Sequence, residues 1–386
     1  MEAAREMSWL GATVSTAVST GLTVGVEEEF LFVDPASGRT TPCAPQVFDR
    51  SMPACPAGAT VQRELRATQA EASTGICHGE AELRQHLVAG RRALSVAAAA
   101  EGVLLVSTGC PPLGTTATST QGGQAARSAQ IDEIYQGMVV DYEACGCHVH
   151  VGVPDRESAV AIVNHLRPWL PVLLALSVNS PFVDGRDSGY GSWRIVQQSR
   201  FPGAGVTPWF ASFADYAGEV GRLIECGVLV DERMTFWLAR PSPALPTVEL
   251  RVADTAATVD EAVLYALLAR ALVRTALTEL ARGREAGQVD AQVAAAAMWS
   301  AARYGLTGAA VDPVRGCLVP AQQRLAQLLA HVRPALADTG DLGTVVRLLG
   351  WLWRDGTGAQ RQRAVASAHG ILAAVHQLSV HTARTA

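Results

Sequence analysis

The chain has 386 residues, 49% of them hydrophobic and 17% charged, with 31 basic against 36 acidic residues and a formal net charge of −5. At ~100–200 residues per domain the length allows two or three domains or one large sheet-based domain, and the apolar share excludes global disorder. The charge balance offers no basic field of the kind that dominates nucleic-acid affinity, so DNA and RNA are not expected partners.

Residues 1–20 carry two glutamates and no continuous apolar run, so they are expected to form a flexible N-terminal extension and not a signal peptide. From Gly21 to Val33 the pattern predicts a strand, ended by the turn sequence Asp34-Pro35-Ala36-Ser37-Gly38. Residues 80–100 place Leu83, Leu87, Val88 and Leu94 at helical spacing, and GVLLVSTG follows as a short buried strand. The segment 102–126 contains no charge; its second half fits a long loop or lid beside a site, and equally plain looseness. CGCHVHVGV (145–153) alternates like a strand, and Asp155-Arg156-Glu157 opens a helix towards Val178 with breaks at Pro168 and Pro171.

The apolar stretch Trp169–Val183 is too broken to span a bilayer, which takes ~20 apolar residues, so no membrane partner is expected. NSPFVDGRDSGYGSWR (179–194) has the Gly-rich, aromatic composition of a binding loop. TVELRVAD (247–254) is another alternating strand, and Thr258 with Glu261 forms a capping box for a helix through Leu280. Helical patterns continue near 289–303, 320–336, 342–354 and 359–380. The layout is α+β to about residue 255 and mainly helical from about 256. Residues 21–386 are expected to form a single domain.

All 31 basic residues are arginine. A GC-rich coding sequence would produce that bias, but whatever its origin it removes the chemistries that need a lysine amine: Schiff bases, pyridoxal phosphate sites, Walker-type phosphate clamps and lysyl-adenylates. Anion recognition falls to arginine forks and backbone N–H groups. Eight cysteines, at 43, 55, 77, 110, 145, 147, 226 and 317, have no regular spacing, which fits reduced thiols and a cytoplasmic location.

Side chains two apart in a strand share a face. Glu27 and Glu29 therefore point together, as do His148 and His150, and Glu249 and Arg251, each set opposite an apolar row. A solvated sheet surface gives the same alternation. The run Glu27-Glu28-Glu29 argues for more, because like charges on one strand repel and cations relieve them; carboxylates with an imidazole suit magnesium or manganese. Glu28 faces the apolar side and is expected at a wet sheet edge or paired with an arginine. A zinc site from Cys145, Cys147, His148 and His150 conflicts with the alternation, which puts the thiols opposite the imidazoles. No Gly-x-Ser-x-Gly, His-Glu-x-x-His or dinucleotide Gly-x-Gly-x-x-Gly signature occurs, so hydrolase and dehydrogenase readings lack support.

Five blocks in order, GVEEEFLFVDPASG, ELRATQAEASTGIC, CGCHVHVGVPDR, RPWLPVLLALSVNSPFVDGRDSGYGSWR and RPSPALPTVELRVAD, resemble the YbdK-like carboxylate–amine ligases, or type 2 glutamate–cysteine ligases. The likeness runs through AARYGLTG to GTGAQRQR and covers roughly residues 21–380. It implies a glutamine-synthetase-like curved antiparallel sheet that carries ATP and Mg2+ or Mn2+ on its concave face, with helices on the convex face. It also implies ATP-dependent amide formation: glutamate is phosphorylated to an acyl phosphate and the amine of cysteine displaces phosphate. By the same resemblance Glu27, Glu29, Glu71 and Glu249 are metal-binding carboxylates. His148 and Arg251 are catalytic, and Arg186, Tyr190, Arg194 and His150 are ATP, phosphate or substrate contacts.

Three departures stand out: Gly109-Cys110-Pro111-Pro112-Leu113 replaces the family's Gly-Thr-His-Pro-Phe, an Arg-Tyr pair is missing from Ser128-Ala129-Gln130-Ile131, and Ala239 replaces an aspartate. They are expected to touch positions that shape the substrates. A phosphotransferase of guanidino-kinase type and a catalytically silent nucleotide-binding homologue remain alternatives. The oligomeric state, a homo-oligomer included, is left open.

Overall fold

The computed structural model describes residues 22–115 and 125–384. The expected extension at 1–20 and the part of the chargeless segment from 116 to 124 lie outside the described residues. Seven strands form one antiparallel sheet: β1 (Val24–Val33), β2 (Thr60–Arg63), β3 (Gln69–Ser73), β4 (Leu104–Val106), β5 (Gly146–Gly152), β6 (Ala239–Pro241) and β7 (Thr247–Asp254). Their order is β6-β7-β5-β1-β3-β2, with β4 paired to the end of β1.

The alternation seen in the sequence decides which face is covered. Val24, Val26, Phe30 and Phe32 of β1, Cys147, Val149 and Val151 of β5, and Val248, Leu250 and Val252 of β7 are all buried on one side. Helices α1 (Glu80–Ala100), α2 (Arg156–Leu166), α3 (Leu170–Ser177) and α4 (Val259–Ala281) pack over the sheet. Burying a Val, Leu or Phe contributes ~1.5–3 kcal/mol, so a one-residue slip in β1 or β5 would exchange a buried apolar row for carboxylates and imidazoles.

α2 and α3 meet at a bend of 70° around Pro168, as the proline spacing requires. Among the described residues no single helix is long and apolar enough to cross a membrane. α4 opens on the expected capping box, Thr258 Oγ1 accepting from Glu261 N at 3.2 Å while Glu261 Oε2 accepts from Thr258 N at 3.0 Å. Helices Ala291–Tyr304, Ala321–Asp338, Leu342–Asp355, Gly358–His369 and Ile371–Ala383 follow. The single helix expected at 359–380 is two, separated by Gly370 at φ +86°. A hairpin of Ala309–Asp312 with Cys317–Pro320, not foreseen in the sequence, interrupts the helical portion. One buried apolar cluster reaches from Val24 in β1 to Ala359 in this portion.

Glu28 lies on the helix face but not at a wet edge. It is 1% exposed and accepts from Arg91 of α1, Nε to Oε2 at 2.9 Å and NH2 to Oε1 at 2.5 Å. Arg91 also donates to the carbonyl of Ala256 at 2.8 Å, just before α4. One ion pair thus joins the sheet, α1 and the entrance to α4.

Candidate active site

The open face of the sheet carries a polar row that crosses six strands. In register, Gln62 of β2 faces Glu71 of β3, Glu71 faces Glu29 of β1, Glu27 faces His148 of β5, His150 faces Glu249 of β7, and Glu249 faces Arg240 of β6. Alternation chooses the face and antiparallel register brings the groups side by side. β7 takes one extra residue between Leu250 and Ala253, a β-bulge of the kind that re-aims a side chain, and Arg251 sits in it.

Glu27 lies between two imidazoles, 3.4 Å from His148 Nδ1 and 3.3 Å from His150 Nε2. Burial works to raise its pKa, but the hydrogen bonds and charges of His148 and His150 prevail and hold the carboxyl well below the usual range. Burial likewise opposes ionisation of Glu249, and Arg240 with Arg251 overcomes it. Arg240 Nε donates to Glu249 Oε2 at 2.8 Å, and Arg251 bonds Oε1. Burial and Arg251 lower the pKa of His148, whose Nδ1 is 3.4 Å from the guanidinium; the pKa of His150 is raised, Glu27 outweighing its burial. Glu29 accepts from Gly146 N at 2.6 Å. Glu71 accepts from Gln62 Nε2 at 2.7 Å and Ser73 Oγ at 2.8 Å, yet burial and then the charges of Glu27, Glu64 and Glu29 push its pKa well up.

Beside this row is a cleft of about 330 Å³ whose walls include Glu27, Glu29, Glu64, Glu71, His148 and Arg251. Leu65, Ile131, Phe201 and Phe236 also line it. The structure therefore gathers Glu27, Glu29, Glu71, Glu249, His148, His150, Arg194 and Arg251 in one region. Arg186 and Tyr190 are elsewhere: Arg186 is exposed on a two-stranded hairpin, and the Tyr190 hydroxyl accepts from Trp299 Nε1 at 3.0 Å. Neither lines the cleft; of the loop 179–194 only its last residue, Arg194, does.

Two groups were not singled out in the sequence. Glu64 opens the block ELRATQAEAST and enters the cleft, where burial and then Glu29 raise its pKa to about 7. Arg240 of RPSP is buried and spends its remaining donors on the Arg233 and Thr235 carbonyls, both at 2.9 Å. Of the three departures only 128–131 reaches the cleft, through Ile131; Ala239 is fully buried on the helix face, and the 109–113 loop lies outside the cleft walls.

The donor set suits a divalent cation. One ligand atom each from Glu27, His150 and Glu249 lie within 4.8 Å of one another, and they are hard oxygen and nitrogen donors. His150 Nδ1 is held by Thr247 Oγ1 at 2.8 Å, while its buried Nε2 faces Glu27 Oε1 at 3.3 Å. That is the arrangement in which the second ring nitrogen orients a metal ligand. Cys147 packs on the helix face and Cys145 against Leu31 and Val33, so no thiol joins the imidazoles.

A model of glutamate–cysteine ligase family 2 matches residues 23–377. The chain is 53% identical over 368 residues to the "Putative glutamate--cysteine ligase 2-2" of Saccharopolyspora erythraea, covering 95% of this chain and 94% of the relative. It is 43% identical over 344 residues to the "Putative glutamate--cysteine ligase 2" of Salinispora tropica, covering 89% and 90%. Among solved structures it resembles a glutamate–cysteine ligase of Francisella tularensis in complex with AMP, at TM-score 0.65 and 13% identity over 94% of this chain and 89% of the other. A bifunctional glutathione synthetase of Pasteurella multocida matches at TM-score 0.65 and 16% identity over 94% of this chain; the chain spans about half, 52%, of that protein's length. At these identities the solved structures bear on the fold, which is that of the glutamine-synthetase-like ligases.

Proposed function

The chain belongs to glutamate–cysteine ligase family 2, and from that premise we propose that it is an ATP-dependent carboxylate–amine ligase joining the γ-carboxylate of glutamate to the amine of cysteine. The observation that carries the reading is the row of Glu27, Glu29, Glu71 and Glu249 converging with His148, His150 and Arg251 from strands far apart in sequence. Nucleotide use is supported by the AMP held by the related Francisella fold.

In the proposed reaction a γ-carboxylate oxygen attacks the terminal phosphorus of ATP and ADP leaves. The amine nitrogen then attacks the acyl carbon, loses a proton, and phosphate departs. Both steps bring anions together, so positioning and charge stabilisation dominate and little covalent help is needed. A divalent cation held by Glu27, His150 and Glu249 would supply neutralising charge for the phosphates when bound. Arg251 is suited to grip a phosphate: Glu249 fixes its NH1, and its buried Nε has no hydrogen-bond partner. His148, kept neutral by burial and Arg251, holds Glu27 in place. Cation binding would draw the protons from Glu64 and Glu71.

ADP release measured over amino acid pairs with Mg2+ or Mn2+ tests the reading. Turnover is expected with glutamate plus cysteine. Glu249→Gln should lower it ~100-fold or more, in the range of losing one charge-stabilising group, and weaken Mn2+ binding ~10–100-fold by paramagnetic titration. Phosphorylated product without an amine would instead indicate a kinase, and tight ATP binding without turnover on any pair a silent homologue.

A further inference from the structure

The block GTGAQRQR at 356–363 belongs to the helix Gly358–His369, whereas the row described above lies on the open face of the sheet. Its buried Gln362 nevertheless leads to the bulge. Gln362 Nε2 donates to both oxygens of Asn179, the backbone carbonyl at 2.9 Å and Oδ1 at 2.8 Å. The helix can come this close because residue 358 is glycine: a Cβ there would stand 2.1 Å from Asn179 Oδ1. Asn179 N in turn donates to Asp254 Oδ2 at 2.9 Å.

Asp254 ends β7 and is fully buried. Two further donors converge on it, Ser180 Oγ at 2.7 Å on Oδ2 and Ser192 Oγ at 2.7 Å on Oδ1. The Arg194 guanidinium approaches Oδ1 to 4.0 Å. Arg194 is itself 2% exposed and gives its donors to the bulge, to the carbonyl of Arg251 at 3.0 Å and that of Val252 at 3.5 Å. These two bonds tie the Arg194 guanidinium, which also lines the cleft, to the backbone of the bulge.

We propose that Asp254, Arg194 and Gln362 are positioning residues for Arg251: the C-terminal helix braces the Asn179–Asp254 junction, and Asp254 with Arg194 fixes the bulge that aims the Arg251 side chain. The proposal rests on the ligase reading for its catalytic consequence and on geometry for its structural one. A misplacement of ~1 Å in a charge-stabilising group costs ~10²-fold in rate, so Asp254→Asn should lower kcat ~10–100-fold. KM for ATP should stay within ~3-fold, the signature of a contact tightened in the transition state. Gln362→Met removes the donor with little change in shape, and also removes Gln362 Oε1, a buried acceptor with no hydrogen-bond partner; a loss of ~3–10-fold is expected, smaller because it acts at one remove.

The test combines kinetics of the two single variants and the double variant with hydrogen–deuterium exchange. Residues on one path give a double-variant loss well short of the product of the singles. Exchange should quicken in 250–255 in both variants while Val24–Val33 keeps its protection. Losses that multiply would overturn the proposal, as would uniform loosening of the sheet with turnover per folded molecule unchanged. Should Asp254→Asn fail to fold, Gln362→Met alone decides, through its kcat and the exchange of 250–255. If the wild type turns over no pair, the ligase reading fails, and exchange by itself decides whether the brace exists.

Discussion

Arg91→Met is a sharp test of the fold that supports the carboxylate row. The substitution keeps side-chain length and removes both charge-assisted hydrogen bonds to Glu28, at 2.9 and 2.5 Å, along with the 2.8 Å bond to the Ala256 carbonyl. Glu28 and Arg91 side chains are 1% and 2% exposed, so water cannot replace the lost partner. Removing one member of a buried pair costs ~3–5 kcal/mol, because the remaining charge is uncompensated. Against a typical total stability of ~5–15 kcal/mol this is a large fraction. Urea unfolding followed by far-UV circular dichroism should show the midpoint shift without a change in slope. The double variant Glu28→Met/Arg91→Met, with no charge left to strand, should recover most of the loss, since the Ala256 carbonyl still accepts from Ser107 Oγ at 2.5 Å. A single-variant loss below ~1 kcal/mol, or a double variant worse than the single, would refute the assignment of this pair as a buried junction.

Two further outcomes follow from the site. Glu64 has a folded-state pKa of about 7, raised from 4.5 by burial and Glu29, and Glu71 is raised also, so the folded state holds more protons than the unfolded one between about pH 4.5 and 7. Their contribution is present in full below that window and is lost as pH rises through it, so stability in chelator should fall from pH 5 to 7.5. Glu64→Gln should flatten that slope; a slope of the same steepness in thermal melts of the variant would reject the assignment. Gly146→Ala would place a Cβ 2.5 Å from Arg194 NH2 and 2.7 Å from His148 Nε2. Arg194 is tied to the Arg251 carbonyl, so His148 must shift; turnover should drop at least ~10-fold with a stability cost of ~1–3 kcal/mol, and a variant with wild-type kcat would contradict the crowding.

Local alternation is enough to say which side chains share a face. Period-two alternation in β1, β5 and β7 placed Glu27 with Glu29, His148 with His150 and Glu249 with Arg251, and excluded a mixed thiol–imidazole site, because a strand has no other way to bury its valines. Resemblance added the order of the blocks and, through it, the fold and Glu71. Which of these faces meet depends on pairing between strands far apart in the chain. Register across β3, β1, β5 and β7 is a long-range property, and it brought one ligand atom each of His150, Glu27 and Glu249 within 4.8 Å of one another, where the resemblance had offered His150 as an ATP, phosphate or substrate contact. Tertiary packing also gave Glu28 its arginine, turned Arg186 and Tyr190 away from the cleft, and brought in Glu64, Arg240 and Asp254. Those three lie at strand ends or in short edge segments, where no periodic pattern marks a face. Their roles come from partners 9 to 75 residues away in sequence, across contacts that local spacing does not encode.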